Sequence, residues 1–160
     1  MKRLETRCRR LSLLVCALTL VGCGSKTDVP DCEDNQTDDV CGVFRIVNEE
    51  RIDQGLDPYA WNTELAIAAQ LHAEDMSGND YFDHASLAGR SFADRARDAG
   101  YDAGPRGENI ALGQQSPEQV MDSWMNSEGH RRNILEPGSN EIGVGLENSY
   151  WVQVFGQRNE

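Results

Sequence analysis

The chain has 160 residues, of which 27 are acidic and 15 basic, giving a formal charge of −12 at neutral pH. Such a balance excludes a nucleic-acid binder, since phosphates would repel it and no basic stripe with interleaved aromatics is present. Once a leader is set aside, the length admits one domain with a real core but not two.

Lys2, Arg3, Arg7, Arg9 and Arg10 precede an apolar run from Leu11 to Val21. These are the n-region and h-region of an export signal, and the run is too short to span a bilayer permanently. Leu20-Val21-Gly22-Cys23 follows directly and resembles a bacterial lipobox, whose cysteine is lipidated and becomes the new N-terminus. The expectation is a leader over 1–22 and a lipid anchor at Cys23 holding the exported protein on the cell envelope. Gly24 is not the aspartate that marks inner-membrane retention, which favours the outer membrane in a double-membrane source. Without the leader, 10 basic and 26 acidic residues remain, a formal charge of −16. Anionic headgroups repel such a surface, so attachment rests on the lipid.

Cys8 and Cys16 leave with the leader, and Cys32 and Cys41 remain as an even pair in an oxidising compartment. A disulfide between them is expected to contribute roughly 2–3 kcal/mol. No CxxC or Cys/His zinc spacing occurs. Gly24 to Val40, with six acidic residues among Gly, Ser, Thr and Pro, reads as a solvated tether. Asp31, Glu33 and Asn35 do not open a calcium loop, because Gln36 and Gly42 stand where an EF-hand needs Gly and Glu. The chain thus divides into a leader at 1–22, a tether at 23–41 and a domain at 42–160.

Within the domain, Val43, Ile46 and Val47 share a helical face opposite Asn48, Glu49 and Arg51, and Gly55 with Pro58 stops that helix. A second helix is predicted over 63–77, with Leu65, Ala68, Ala69, His72 and Met76 inward. A third, short helix runs from Ser91 to Ala99. The fourth starts at Ser116 as N-cap with Pro117, Glu118 and a capping box completed by Gln119. It carries Val120, Met121 and Trp124 on its apolar face and ends at Gly129. Beyond Gly138 the period becomes alternating: Ile142, Val144 and Leu146 interleave with glycines, Asn148-Ser149 turns, and Tyr150 to Phe155 returns. Gly143 and Gly145 leave room for something to pack closely on that strand. The class is α+β, about four helices around a small antiparallel sheet.

Three polar residues from separate segments could carry chemistry: His84, Glu108 and His130. Both histidines fall in predicted loops at helix ends. Two neutral imidazoles and a carboxylate suit a divalent metal such as zinc, or a metal-free histidine base oriented by the acid. His72, on the apolar stripe of its helix, reads as a buried, hydrogen-bonded core histidine. Ser86 and Ser91 stand in neither a GxSxG nor an SxxK context and are not nucleophiles.

With these residues assembled, the sequence resembles the CAP superfamily of cysteine-rich secretory, antigen 5 and pathogenesis-related proteins, in its compact bacterial branch. The resemblance rests on LAIAAQLHAEDM at 65–76, Tyr81-Phe82-Asp83-His84, Gly107-Glu108-Asn109-Ile110-Ala111, Trp124-Met125-Asn126-Ser127 with Gly129-His130-Arg131, Ile142-Gly143-Val144-Gly145 and Tyr150-Trp151-Val152-Gln153. It implies an α-β-α sandwich with an open cleft in which His84, Glu108 and His130 match family positions, and histidines that bind zinc in some members. The family's fourth cleft position, a glutamate one turn after the tryptophan, is Ser127 here, with Glu128 the nearest acid.

The functional expectation is a binding module that takes a small amphipathic, lipid, sterol-like or cell-wall ligand through that cleft, with a divalent cation assisting. The alternative is a hydrolase in which His84 and His130 hold zinc and Glu108 activates its water. A third possibility is a structural envelope protein whose cleft is a family remnant.

Overall fold

The computed structural model describes Val29, Pro30, Cys32 and residues 36–159. The leader and Cys23 lie outside the described residues. Helix α1 spans Asp38–Asp53, so it begins inside the segment read as tether. Thr37 accepts a hydrogen bond from Val40 N at 3.3 Å, and Asp38 and Asp39 stand in the first turn against the positive end of the helix. Two of the six acids read as part of a solvated tether, Asp38 and Asp39, are therefore first-turn charges of this helix. Cys32 and Cys41 form a disulfide across nine residues, with Cα atoms 5.4 Å apart, and tie the entering chain to this first turn.

Val40, Val43, Phe44 and Val47 form the buried stripe of α1. Asn48 and Arg51, expected on its exposed face, are buried as well. Their burial is tolerated because each donor nitrogen reaches a backbone carbonyl. Asn48 brackets Tyr59, accepting from its N–H at 2.7 Å and donating to its carbonyl at 3.2 Å. Arg51 donates to Asp57 O at 2.9 Å, Ile134 O at 2.8 Å, Glu136 O at 3.1 Å and Ser139 O at 3.2 Å, with its guanidinium 3.7 Å from the Tyr59 ring centroid.

The remaining elements are β1 (Ala60–Trp61), α2 (Thr63–Asn79), α3 (Phe92–Asp98), β2 (Gly104–Leu112), α4 (Pro117–Met125), α5 (Glu128–Ile134), β3 (Glu141–Glu147) and β4 (Tyr150–Gln157). The β3–β4 hairpin turns through Asn148 and Ser149, both at positive φ. The sheet has the order β1-β3-β4-β2 and is mixed rather than purely antiparallel, because β1 runs parallel to β3. Two strands, β1 and β2, and one helix, α5, go beyond the elements expected from periodicity. Gly129 does not end α4, which stops at Met125; it lies inside the first turn of α5. At the start of α4, Ser116 caps Gln119 N at 3.3 Å, but the Gln119 side chain accepts from Gln115 N at 3.0 Å rather than closing the box on Ser116.

Side chains alternate across the sheet into two cores. Ile142, Val144, Trp151 and Phe155 pack beneath α1 and α4, and Val152 and Val154 beneath α2 and α3. The result is an α-β-α sandwich. Helix α2 lies directly on β3: a Cβ at Gly143 would sit 2.0 Å from Ala66 N, and one at Gly145 would sit 2.4 Å from Gln70 N.

Gly143→Ala and Gly145→Ala each force α2 off the sheet and are expected to lower unfolding free energy by roughly 3 kcal/mol, read from urea midpoints. Reducing the Cys32–Cys41 bond is expected to cost roughly 2–3 kcal/mol, seen as a lower melting temperature that returns on reoxidation.

Candidate functional site

The first wall of the site is the loop between α2 and α3. Helix α2 ends with Asp80 in the left-handed region at φ 51°. His72, fully buried on α2, then binds the loop through Nε2 to Asp83 O at 3.0 Å. Helix α3 holds the other side. Its capping box joins Ser91 and Asp94, and Arg95 donates through Nη1 to Arg90 O at 2.8 Å and His84 O at 3.0 Å. His84 is thus presented from a loop tied at both ends, with 57 % of its side chain exposed.

The floor is β2, the sheet's edge strand opposite β1. It carries Glu108, whose side chain is 1 % exposed. One carboxylate oxygen accepts from His84 Nδ1 at 2.8 Å and the other from Arg95 Nη2 at 2.5 Å. A charge that deep needs such partners, and both of its oxygens are committed.

The second wall is α5. His130 lies on this helix rather than in a loop, because Glu128 to Ile134 makes about two further helical turns after α4. Asn133 donates to Glu108 O at 3.2 Å and to Asn109 Oδ1 at 2.9 Å, while Asn109 donates to His130 O at 3.1 Å and Gln153 Oε1 at 3.1 Å. These amides stitch α5 to the strand. Gly107 makes the close approach possible, since a Cβ there would lie 3.3 Å from the Asn133 side chain.

The two histidines are tuned in opposite directions. The hydrogen bond to Glu108 raises the His84 pKa, although partial burial of the ring pulls it the other way. Burial lowers that of His130, and the charge on His84 lowers it further. The structure therefore brings His84, Glu108 and His130 into one electrostatic neighbourhood. His72 stands apart as a core residue with its pKa lowered by burial.

Zinc requires three or four converging donors in its protein sites, or three with water. Here Glu108 has its oxygens on His84 and Arg95, so two imidazoles remain beside a guanidinium. Among the described residues, no group of three or more His, Cys, Asp or Glu stands where it can hold a metal ion. These residues do not fit a zinc centre, nor is Glu108 placed as a free base for metal-bound water. Glu128 does not replace the fourth carboxylate: it is exposed in the first turn of α5. Ser91 caps α3, and Ser86 Oγ accepts from Arg90 N at 3.1 Å, so both serines have structural roles.

Arg95, Asn109 and Asn133 are the functional residues that periodicity does not single out. Arg95 looks like one of several surface arginines on an exposed helix; only the burial of Glu108 marks it as a counter-ion.

A family model described as "Cysteine-rich secretory protein family", or CAP, matches residues 44–155. The chain is 44 % identical over 115 residues to the uncharacterized protein YkwD of Bacillus subtilis, covering 71 % of this chain and 45 % of that one. It is 34 % identical over 116 residues to the uncharacterized membrane protein YlbC of the same organism, covering 72 % and 34 %. Among solved structures, an extracellular protein containing an SCP domain from Bacillus anthracis superimposes with a TM-score of 0.71 at 32 % identity, covering 72 % of this chain and 39 % of that one. An outer surface protein from Borrelia burgdorferi shares the fold at TM-score 0.65 and 22 % identity, covering 73 % and 90 %. The chain thus spans less than half the length of the two curated relatives.

In an NMR titration, His84 is expected to have its midpoint above 6.5 and His130 below it. Glu108→Gln should lower the His84 midpoint. Since the folded pKa of His84 exceeds its unfolded value, its stabilisation is complete below about 6.5 and fades as pH rises through the folded value. Arg95→Ala strands the buried Glu108 carboxylate and should cost roughly 3–5 kcal/mol in chemical denaturation.

Proposed function

The chain belongs to the cysteine-rich secretory protein family, and from that premise we propose that it is an exported, lipid-anchored binding module of the cell envelope. Its ligand is a small amphipathic or cell-wall molecule held across His84 and His130, with Glu108 as the fixed floor between them. The observation that carries this reading is the double engagement of Glu108, by His84 Nδ1 and Arg95 Nη2. A carboxylate held that way orients an imidazole.

Glu108 leaves His84 Nε2 as the outward polar atom, a donor when the ring is charged. His130, held toward the neutral form, offers a donor and an acceptor on its ring. Such a pair suits a ligand rich in hydroxyl or carboxylate groups, as cell-wall fragments are. Export is supported by the basic and apolar segments ahead of Cys23 and by the extracellular SCP-domain protein at 32 % identity. Attachment through Cys23 accords with the charge of the chain, which would repel anionic headgroups.

The test is retention of the purified protein on cell-wall fragments and on lipid vesicles, beside a His84→Ala/His130→Ala variant. At least a tenfold loss of affinity in the variant is expected; unchanged binding, or none to either material by the parent, would overturn the reading. In fractionated cells, Cys23→Ser is expected to move the protein from the membrane to the soluble fraction.

A further inference from the structure

Every basic residue from 42 to 160 is an arginine, since Lys2 and Lys26 are the two lysines of the chain. Their partners divide them. Arg45, Arg90, Arg95, Arg97 and Arg158 each lie against a carboxylate, and Arg51 is buried on backbone carbonyls. Arg106, Arg131 and Arg132 remain, all exposed and none paired with an acid among the described residues. Arg131 makes one hydrogen bond, from Nη1 to Met125 O at 3.3 Å, whereas the side chains of Arg106 and Arg132 make none. Acids outnumber bases 27 to 15 in the chain, so three guanidinium groups without one are not a matter of supply.

All three are rooted at the cleft. Arg106 comes two residues before Glu108 on β2, and Arg131 and Arg132 directly follow His130 on α5. The two elements meet where a Cβ at Gly107 would lie 3.3 Å from the Asn133 side chain, and where Asn133 donates to Glu108 O at 3.2 Å. Arg106 precedes one member of that contact and Arg132 the other. They therefore leave the backbone at adjoining points on the join between floor and wall. Arg131, about 100° further round the helix, turns back to the end of α4.

The carboxylates on these segments do not offset the arginines. Glu108 is committed to His84 and Arg95. Asp83 Oδ1 accepts from Ala85 N at 2.8 Å, and Glu136 Oε1 from Gly138 N at 3.0 Å. Glu128 stands in the first turn of α5, where the positive helix end favours it. The His130 ring registers the same imbalance: burial and the charge on His84 lower its pKa, and no carboxylate raises it.

Like charges gathered this way repel one another, and an anion relieves them. The planar fork of a guanidinium matches the paired oxygens of a carboxylate or phosphate. We propose that the ligand of the cleft is anionic, and that Arg106 and Arg132 on its rim bind a carboxylate or phosphate group while the rest lies across His84 and His130. The inference rests on the cleft reading for where the ligand sits and adds the charge it carries. The acidic surface elsewhere repels such a ligand, so the same charges set the direction of its approach.

The probes are N-acetylmuramic acid, glycerol 3-phosphate and the neutral N-acetylglucosamine, each titrated into isotope-labelled full chain and followed by NMR at the arginine Nε–H groups and the His130 ring. At least one anion is expected to bind tenfold more tightly than the neutral sugar, and which one does so identifies the oxyanion. Raising sodium chloride from about 0.1 to 1 M, which shortens the screening length from about 10 to 3 Å, should weaken that anion at least fivefold. Arg106→Gln and Arg132→Gln should each weaken it at least threefold without lowering the melting temperature, since neither side chain has a partner to lose. Arg45→Gln, which removes the same charge from α1, should leave it unchanged. The inference is overturned if no probe binds, if the neutral sugar equals both anions, if Arg45→Gln matters as much as Arg106→Gln, or if neither rim arginine matters. On cell-wall fragments, binding lost in His84→Ala/His130→Ala but kept in Arg106→Gln/Arg132→Gln overturns this inference and leaves the cleft reading intact. The reverse pattern removes the cleft reading and keeps the anion site.

Discussion

The contact on which the other features rest is the seating of α2 on β3. Gly143 and Gly145 present bare backbone, and Ala66 and Gln70 come within a distance no side chain would allow. Because α2 is this close, its inner stripe of Leu65, Ala69, Ala73 and Met76 reaches Val152 and Val154 of the neighbouring strand. His72, one position from that stripe's centre, then has no route to solvent and takes the Asp83 carbonyl. The loop carrying His84 is fixed as a consequence, so a two-glycine strand indirectly positions His84.

The second constraint is electrostatic. A carboxylate on an edge strand, almost without solvent, must be surrounded by donors or cations. Glu108 recruits one from α3 and one from the preceding loop, and neither is near it in sequence. On the far side of β2 the requirement is met by neutral amides, Asn109 and Asn133, which bind each other and the backbone of both elements. Arg51 secures the end of α5 from below through Ile134 O. Each histidine thus stands on an element fixed by buried polar groups bonded to it, which is how a site holds its geometry without ligand.

Periodic segments were legible from the chain. The inward stripe of α2, the short helix after Ser91, the Ser116 cap and the β3–β4 hairpin all follow local rules. Strand β2 was not legible, because Gly104, Pro105, Gly107 and Asn109 have poor strand propensity, and β4 alone makes the segment extended. Helix α5 hid behind Gly129 and a Ser127 cap that makes no side-chain hydrogen bond. The start of α1 hid in an acidic run whose charges resemble a solvated linker until Thr37 and Val40 are seen to close the first turn.

The amino-acid order was enough for the family motifs and the class, and to single out His84, Glu108 and His130 as candidates, because these depend on residue type and short-range spacing. Their chemistry was not contained there. Whether Glu108 is a metal ligand, a base or a buried anchor depends on Arg95, and that pairing arises when α3 folds over the edge of the sheet. Desolvation and partner choice are properties of packed neighbours, and neighbours separated along the chain are brought together only by the fold.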